Sequence, residues 1–452
     1  MSHAIIRGMA LAMATAPLLV ACGGGKADDP GPINSPQCSG TSCGVQGPPN
    51  QGADAAPLCP ADADIVKSTY LGGAGSGEVV RLNIDATAMT YTLSWLESPI
   101  PLVTGGDPSV TRAGVTITGH VIHPPTGTLP TAGQTRCAFI LAPGSGTAPN
   151  GATYTTPDFT QDATPNPPMV FVGQGVAGGG IPGATVEYDG YLGLIGPVPN
   201  RHFDFYPFLG FASTTTSLSA LPGTYNSLLY HLSPTAKYLT VATNSVETFD
   251  ANGACTSSSG CLTTGDALTV NSNGYLDSTH PPVIVNGSGS QTPLRIGNDA
   301  VAHMIIGQLN GATVPLVVRT GHVSPPLSVD DESGIALLAK STTVSSGDID
   351  GGYVGADSNF RYTATLLKGP IGTFINPTTA AAESGFGLSY GLPSPGLVGV
   401  GDVQHNTGFA IASGGLFAIF INGTENGGVV ASSSNADTTG APYFGIGAQI
   451  SK

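Results

Sequence analysis

Glycine and proline interrupt this chain at short intervals from one end to the other. The 452 residues include 65 Gly and 37 Pro, and both residue types disfavour helix interiors and are common in turns. Charged residues make up only 10% of the chain, against about 25% in an average soluble domain, so few residues suit the exposed face of a helix. We therefore predict an all-β fold of short antiparallel strands and hairpins, arranged as two β-sandwich or β-barrel-like domains after a disordered tether.

Local patterns indicate where strands and turns lie. The segments Val79–Ile84, Met89–Trp95 and Val115–Ile122 alternate in part between apolar and polar residues, which is typical of half-buried strands. Two segments, Ile335–Lys340 and Thr379–Ser384, are predicted to form at most a turn or two of helix. Asn-Gly pairs, a strong hairpin signal, begin at Asn150, Asn252, Asn273, Asn286, Asn310, Asn422 and Asn426.

The first residues have the parts of an export signal. Arg7 precedes an apolar run, Met9–Val20, that is about a dozen residues long and closes at Ala21-Cys22. A membrane-spanning helix needs about 20 apolar residues, so the run is too short for a permanent span. We predict that residues 1–21 are a signal peptide.

The segment Leu19–Cys22 resembles the lipobox of bacterial lipoproteins. That resemblance implies that Cys22 becomes the first residue of the mature chain and carries the lipid, whose several acyl chains meet the requirement for stable anchoring. In such lipoproteins an aspartate after the cysteine favours the inner membrane. Gly23 stands there instead, which implies anchoring in the outer membrane, with the side of that membrane left open. The alternative is an ordinary signal peptide with a cysteine near the cut.

The chain divides into a tether and a body. Residues 22–60 begin with the lipidated cysteine and continue as a flexible stretch rich in Gly and Pro, which cannot bury a core. The first ordered element is expected near Ile65. A boundary near Ser217–Pro222 divides the body into a β domain at 61–220 and a second β domain at 221–452.

The remaining cysteines are even in number. Setting Cys22 aside leaves six, which predicts disulfides in an oxidising compartment. Two pairs close short loops, and the third pair is what remains. A metal site is the weaker alternative, because the spacing is not Cys-x-x-Cys and no histidine lies close by in the sequence. The predicted disulfides are Cys38–Cys43, Cys59–Cys137 and Cys255–Cys261.

One motif suggests catalysis. Gly387–Gly391 matches the Gly-x-Ser-x-Gly pattern in which a serine nucleophile sits between a strand and a helix. Ser389 would be the nucleophile, with His405 and Asp402 as its partners. The sequence that follows contains Pro393 and Pro395, which cannot continue as a helix. A secreted serine hydrolase is therefore kept only as an alternative.

Two further motifs are interpreted as structural. Gly173–Gly178 matches a dinucleotide-binding pattern, but Gly179–Gly183 cannot begin the helix that would receive the phosphates, so we predict a hairpin loop. The carboxylates at Asp330–Glu332 and Asp348–Gly351 suit Ca²⁺ by type but lack the spacing of a calcium loop. We predict that both are solvated turns.

Histidines give no firm metal site. His120 and His123 are three positions apart, which on a strand places them on opposite faces, and His322 repeats the Gly-His-Val setting of His120. We therefore predict that His120 and His123 do not bind one metal together, and that His120 and His322 lie at strand ends. A His-His-Asp metal site drawn from both halves of the chain is kept as an alternative. No metal and no cofactor are predicted.

Charge limits the partners. The chain has 14 Lys plus Arg against 29 Asp plus Glu, and the basic residues are not clustered, which argues against nucleic-acid binding. The membrane is therefore expected as a partner only through the lipid on Cys22. A transmembrane β-barrel is a further alternative, although it needs more aromatic residues than the 7% present.

The chain as a whole resembles a family of uncharacterised proteobacterial lipoproteins known only as a domain of unknown function. The resemblance depends on the Ala21–Gly25 segment and on the acidic, Gly- and Thr-rich body, and it implies no activity and no functional residues. The predicted function is an outer-membrane-anchored lipoprotein with a non-enzymatic binding or envelope-structural role. Its ligand, in the envelope or at the surface, is not identified.

Overall fold

The structure is a computed structural model. It describes residues 59–126, 132–158, 166–173, 175–188, 198–257, 268–279, 281, 283–324, 328–376, 381–402, 406–422 and 442–451. In these residues the chain is nearly all-β and contains two closed eight-stranded antiparallel barrels with an open sheet. The predicted fold class is confirmed.

The first barrel is formed by the N-terminal part of the body. Its ring runs β1, β2, β3, β4, β5, β8, β9, β10 and back to β1, and the pairing of β3 with β4 closes it. Strands β6 and β7 extend the sheet beside β4. The strands are β1 (Thr69–Ala74), β2 (Glu78–Asp85), β3 (Thr90–Glu97), β4 (Thr116–Ile122), β5 (Ala138–Leu141), β6 (Ser145–Thr147), β7 (Thr153–Thr155), β8 (Met169–Gly173), β9 (Val176–Tyr188) and β10 (Val198–Phe211).

A central sheet follows in the chain. Its strand order is β13-β12-β21-β18-β17-β15-β14, with β11 beside β17, and a separate small sheet β16-β20-β19 is not paired with it. The strands are β11 (Thr214–Thr215), β12 (Gly223–Ser233), β13 (Leu239–Phe249), β14 (Thr269–Val270), β15 (Leu276–Ser278), β16 (Arg295–Ile296), β17 (Val301–Leu309), β18 (Ala312–Thr320), β19 (His322–Ser324), β20 (Ser328–Asp330) and β21 (Ser333–Lys340).

The second barrel pairs its strands in simple chain order, and its last strand returns to its first. The strands are β22 (Gly351–Asp357), β23 (Tyr362–Lys368), β24 (Ile371–Ile375), β25 (Ala382–Ser389), β26 (Val398–Asp402), β27 (Thr407–Ser413), β28 (Leu416–Ile421) and β29 (Tyr443–Ser451). The predicted domains 61–220 and 221–452 stay predictions; the first barrel ends at Phe211, and the residues after 221 hold both the central sheet and the second barrel.

Helices are few and short in the described residues. They are α1 (Asp62–Lys67) and α2 (Ala132–Cys137), with 3₁₀ turns at Leu218–Ala220, Pro234–Ala236 and Gly289–Gln291. Among these described helices, none has both the length and the apolar content needed to cross a membrane.

The helical prediction for Ile335–Lys340 is wrong, because this segment lies in β21. The described part of Thr379–Ser384 lies in β25, so that prediction is wrong as well. In β21 every residue from Ser333 to Ala339 is buried, since both faces of the central sheet are covered. A short apolar run that is buried on both faces cannot be told from a helix by periodicity.

Both barrels share a core with the central sheet. Leu228 and Leu316 of the sheet belong to one buried cluster with Phe208 of the first barrel and Ile411 of the second. The alternate residues of the same sheet strands, such as Leu229, belong to a separate cluster on the other face. The three parts of the body are therefore packed on a continuous apolar core rather than joined by linkers.

Glycine permits the close contact between the first barrel and the sheet. A Cβ atom on Gly73 would lie 2.3 Å from Cγ2 of Val318. Gly77 has φ of +82°, and a Cβ there would lie 2.4 Å from the carbonyl oxygen of Arg319. Larger residues at these positions would push the barrel off the sheet.

The second barrel is filled by its own side chains. One buried cluster draws residues from all eight of its strands, among them Phe374, Phe386, Val400 and Phe417. The transmembrane-barrel alternative predicts the reverse arrangement, with apolar residues outside and a polar interior.

Candidate functional site: a cleft between the first barrel and the central sheet

A cleft lies where the first barrel meets the central sheet. The empty space between its walls is about 560 Å³ when the part that is open to solvent is included. Ile100, Val186 and Phe203 line it from the barrel side, and Leu232 and Val323 from the sheet side. A mostly apolar concave lining with few polar groups is typical of small-molecule sites.

A fully buried ion pair supports the barrel side of the cleft. Arg112 Nε and Nη2 donate to the two carboxylate oxygens of Glu78 at 2.6 Å each. The hydroxyls of Ser76 and Ser98 donate to the same carboxylate at 2.8 and 2.5 Å. Ser76 and the neighbours of Ser98 and Arg112 line the cleft, so the ion pair holds this wall in place.

The remaining donors of Arg112 are also used. Its Nη1 and Nη2 donate to the carbonyl oxygens of Gly183 and Pro182 at 3.1 Å each, and its guanidinium carbon lies 4.3 Å from the ring centre of Trp95. Arg112, Glu78 and Trp95 are all fully buried. A buried charge with every donor satisfied is rigid, and these large side chains occupy the interior next to the cleft.

The sheet side is supported by the acidic run Asp330–Glu332, for which the prediction of a solvated turn is wrong. All three side chains are buried. Asp331 accepts hydrogen bonds from the hydroxyls of Ser233 and Thr235 at 2.6 and 3.0 Å and from the Thr235 N–H at 2.5 Å. Asp330 is paired with Arg319 at 2.6 Å. The carboxylates are buried because the fold supplies a partner for each, which the local sequence does not reveal.

Glu332 attaches the segment around Ile284 and Val285 to the sheet. It is paired with His231 at 2.8 Å and with Arg295 at 2.5 Å, and it accepts the backbone N–H groups of Ile284 and Val285. Burial alone would raise the pKa of Glu332, but the hydrogen bond and charge of His231 and the charge of Arg319 lower it to about 2. Glu332 is therefore ionised over the whole physiological range.

Tyr206 supplies an unused donor in the cleft wall. It is 1% exposed, and its hydroxyl has no hydrogen-bond partner among the described residues. Burial raises the pKa of Tyr206 well above its ordinary value, so the hydroxyl stays protonated and able to donate. The other cleft tyrosine, Tyr238, already donates to the carbonyl oxygen of Val186 at 3.0 Å.

An aromatic cluster links the cleft to the second barrel. The guanidinium of Arg201 lies 4.8 Å from the ring centre of Phe203, 4.9 Å from that of Tyr238 and 5.9 Å from that of Phe360. Phe360 lies in the turn between β22 and β23 and has φ of +57°, an uncommon conformation for a bulky residue. Residues from the barrels and the sheet thus meet at the edge of the cleft.

The motif residues for a hydrolase do not come together. Ser389 is opposite Gly399 and Asp402 is opposite Phe386, so Ser389 and Asp402 project from opposite faces of the barrel wall, about 10 Å apart along the strands. Ser389 is exposed at the end of β25, and no helix follows it. Asp402 accepts hydrogen bonds from Asn406. His405 lies outside the described residues.

The other predicted sites have varied outcomes. The Cys59–Cys137 disulfide is formed, with Cα atoms 5.9 Å apart. It joins the segment just before α1 to the last residue of α2. Cys255 is also disulfide-bonded, but its predicted partner Cys261 lies outside the described residues. The pair Cys38–Cys43 and the lipid site Cys22 lie outside them too, and all three stay predictions.

The remaining motifs lie in strands or turns. Gly173 pairs with Val176, so the predicted hairpin after β8 is confirmed. His120 lies in β4 and His322 in β19, and His123 Nδ1 lies 3.0 Å from the carbonyl oxygen of Ala138. Within the described ranges, no group of three or more His, Cys, Asp or Glu residues could hold a metal ion.

Two residues that the sequence motifs singled out, His322 and Asp331, line the cleft, but no sequence pattern predicts the cleft itself. Its walls come from residues 76, 99–111, 186, 203–206, 232–238, 321–323 and 331–333, which are far apart in the chain. Tyr206 lies in an ordinary strand pattern, and only the packing of the sheet against the barrel distinguishes it.

Comparison with known proteins provides a family but no function. No curated protein sequence matches the chain. Among solved structures, a transferrin binding protein B double mutant, a vaccine antigen from Haemophilus parasuis, is 10% identical over 82% of this chain and 65% of its own, with a TM-score of 0.18. This chain thus spans about two thirds of that protein, and a TM-score below 0.5 does not establish a common fold. The model of the family described as protein of unknown function DUF2957 matches residues 90–448. The chain therefore belongs to the DUF2957 family.

Proposed function

We propose that this protein is a non-enzymatic binding lipoprotein of the outer membrane, and that its cleft takes a small apolar molecule carrying a hydrogen-bond acceptor. The lipid on Cys22 would hold it at the membrane, and the tether at 22–60 would separate the body from the bilayer.

The observation that carries this proposal is the Tyr206 hydroxyl. It is a buried donor without a partner among the described residues, in the wall of a mostly apolar cleft. A buried polar group left unpaired costs about 1–3 kcal/mol, and a bound acceptor would remove that cost. The apolar walls favour a ligand whose remaining surface is apolar.

The packed interiors of the two barrels support the same site. Trp95 and Arg112 fill space inside the first barrel, and aromatic and branched residues from all strands fill the second. Interiors packed in this way leave little room for a ligand. A pocket lined by residues of the second barrel, among them Tyr353 and Phe417, has about 210 Å³ of empty space against about 560 Å³ for the cleft, so we expect the ligand in the cleft. Two buried charge networks hold the cleft walls, which reduces the cost of ordering a site on binding.

The anchor rests on the Leu19–Cys22 segment and on Gly23 after it. Mass spectrometry of the N-terminal peptide of the protein purified from its own membranes tests it. An acylated Cys22 as the first residue supports the proposal, and an unmodified Cys22 or a cut elsewhere overturns it.

Ligand binding is tested with the uncharged aromatic ketone prodan, whose fluorescence reports its surroundings and whose carbonyl can accept a hydrogen bond. We expect the wild-type full-length protein to bind prodan and the Tyr206→Phe variant to bind it about two- to twelvefold more weakly, the loss of one net hydrogen bond. Tyr225→Phe is the matched control, because its hydroxyl is also buried without a partner among the described residues but lies in the core on the other face of the sheet. Equal affinity of the two variants would contradict the assignment of Tyr206.

A further inference from the structure

The central sheet has one long open edge within the described ranges. Strand β13 pairs with β12 over eleven consecutive residue pairs with no register shift, and no described strand pairs with its other side. Among the described strands, the other sheet edges are formed by strands of only two or three residues, and the long strands are paired within a barrel or inside the central sheet. Long unguarded edges are uncommon in proteins because they invite pairing with another chain.

The backbone groups that face this open side can be identified. The Thr248 N–H donates to the hydroxyl of Ser257 at 2.7 Å, and the Thr248 carbonyl oxygen accepts from the Thr256 N–H at 2.7 Å. Thr248 therefore faces away from β12. Because backbone groups alternate between the two sides of a strand, Thr240, Ala242, Asn244 and Val246 also face away. None of these four residues has a hydrogen bond outside the β12 ladder among the described residues.

Nothing in the sequence of this edge opposes pairing. The seven residues Thr240–Val246 contain no charged residue, no proline and no glycine, whereas native proteins commonly place Lys, Pro or a bulge at such an edge. Val246 is one of the large apolar side chains exposed to solvent.

We propose that this edge pairs with the same edge of a second copy of the chain, antiparallel about a two-fold axis at Thr243. In that register Thr240 lies opposite Val246 of the partner subunit, and Ala242 lies opposite Asn244 of the partner subunit. All four outward residues then form hydrogen-bonded pairs, which gives about eight backbone hydrogen bonds. The two central sheets become one continuous sheet, and the interface is isologous.

The chemistry of the edge favours a second copy over an unrelated partner. The chain carries a formal net charge of −15, so most surfaces of two copies repel each other, but this segment brings no charges face to face. Its residues pair well with themselves, because the register sets Thr243 against Thr243 of the partner subunit and small or β-branched residues against one another.

Cysteine cross-linking tests the register. In the full-length protein, Thr243→Cys places two thiols at a non-hydrogen-bonded pair with Cα atoms about 4.5 Å apart, within the range that a disulfide spans. We expect a covalent dimer on mild oxidation that reducing agent dissociates. Val246→Cys is the matched control, because the two copies of that residue lie about 20 Å apart in this register, and like the wild type it is expected to give no covalent dimer.

A second substitution tests the backbone pairing itself. Asn244→Pro removes an N–H that faces outward and is not used by β12, a position where an edge strand tolerates proline. Placed in the Thr243→Cys background, it is expected to abolish the covalent dimer while the urea midpoint of the protein is retained. A folded Thr243→Cys protein that gives no covalent dimer on oxidation overturns the proposal and leaves the edge to a strand of another protein. Equal cross-linking of Val246→Cys overturns it too, since random collision would then explain both.

Discussion

Arg112 and Glu78 are buried completely, and each depends on the other. Replacing Arg112 with Met would leave the Glu78 carboxylate in the barrel interior with only the hydroxyls of Ser76 and Ser98 as donors. Removing one partner of a buried pair costs about 3–5 kcal/mol. We expect the free energy of unfolding, measured in urea, to fall by about that amount in Arg112→Met.

The control for this prediction is the exposed pair of Lys67 and Asp64. Their charged atoms are 3.5 Å apart, and both side chains are more than half exposed. Such pairs contribute about 0–1 kcal/mol, so Lys67→Met is expected to change stability by no more than that. A loss in Arg112→Met as small as in Lys67→Met would contradict the structural role of the buried pair.

Asp357 is a buried carboxyl of a different kind. Its Oδ1 accepts the backbone N–H groups of Asn359 and Arg361 at 2.9 and 3.1 Å, while Oδ2 has no hydrogen-bond partner among the described residues. Burial raises the pKa of Asp357 to about 7, against the lowering effect of these hydrogen bonds. The turn that it organises carries Phe360 to the edge of the cleft.

The raised pKa of Asp357 predicts a pH dependence of stability. In the unfolded chain the carboxyl loses its proton near its ordinary value of 3.8, while the folded protein keeps it up to about pH 7. The contribution of Asp357 to stability is therefore fully present below about pH 4 and decreases as the pH rises to about 7, by about 1.4 kcal/mol per pH unit. Asp357→Asn keeps the Oδ1 acceptor and cannot ionise, so the difference in unfolding free energy between wild type and variant is expected to change with that slope. Parallel pH profiles would contradict this prediction.

At the scale of elements, the turn between β1 and β2 sets the distance from the first barrel to the sheet. Gly77→Ala introduces both an unfavourable positive φ and a contact with the Arg319 carbonyl. We expect it to lower the free energy of unfolding and to weaken prodan binding, because Ser76 next to it lines the cleft.

Gly151→Ala separates the two effects of that substitution. Gly151 has φ of +83°, close to that of Gly77, but no atom within 4 Å of an added Cβ. The free energy of unfolding of Gly151→Ala should therefore fall only by the cost of the positive φ, about 1–2 kcal/mol, and its affinity for prodan should be unchanged. If both variants lost equal stability and both kept prodan affinity, the contact at Gly77 would have no role in shaping the cleft.

The elements that sequence predicted well are those with one buried face. The segments Val79–Ile84 and Met89–Trp95 lie in β2 and β3, whose burial alternates along the strand, and this alternation is visible in the residue types. Ile335–Lys340 could not be assigned in the same way, because β21 is buried on both faces and shows no alternation.

The sequence predictions that are wrong at the cleft have a common physical cause, which is packing between segments that are distant in the chain. Asp330–Glu332 has the composition of a solvated turn, and only Arg319, His231 and Arg295 from elsewhere in the chain make its burial possible. Gly73 lies inside β1 where the sheet approaches, so the general preference of glycine for turns does not reveal its role. A local pattern cannot report a partner that is distant in sequence.

At the scale of the whole molecule, two filled barrels and a central sheet share one apolar core. Barrels with packed interiors act as rigid supports, and the cleft lies between two such supports rather than inside either of them. The aromatic contacts of Phe360 with Phe203 and Tyr206 join the second barrel to the cleft wall. Ligand binding and the docking of the barrels are therefore expected to stabilise each other.

Hydrogen–deuterium exchange of the full-length protein with and without prodan tests the location of the site most directly. We expect slower exchange on binding in the segments 98–112, 231–238, 321–324 and 328–333, which carry residues that line the cleft. Slower exchange confined to strands of the second barrel, such as 353–365 and 416–421, would contradict it, as would prodan binding with no protected segment in the cleft.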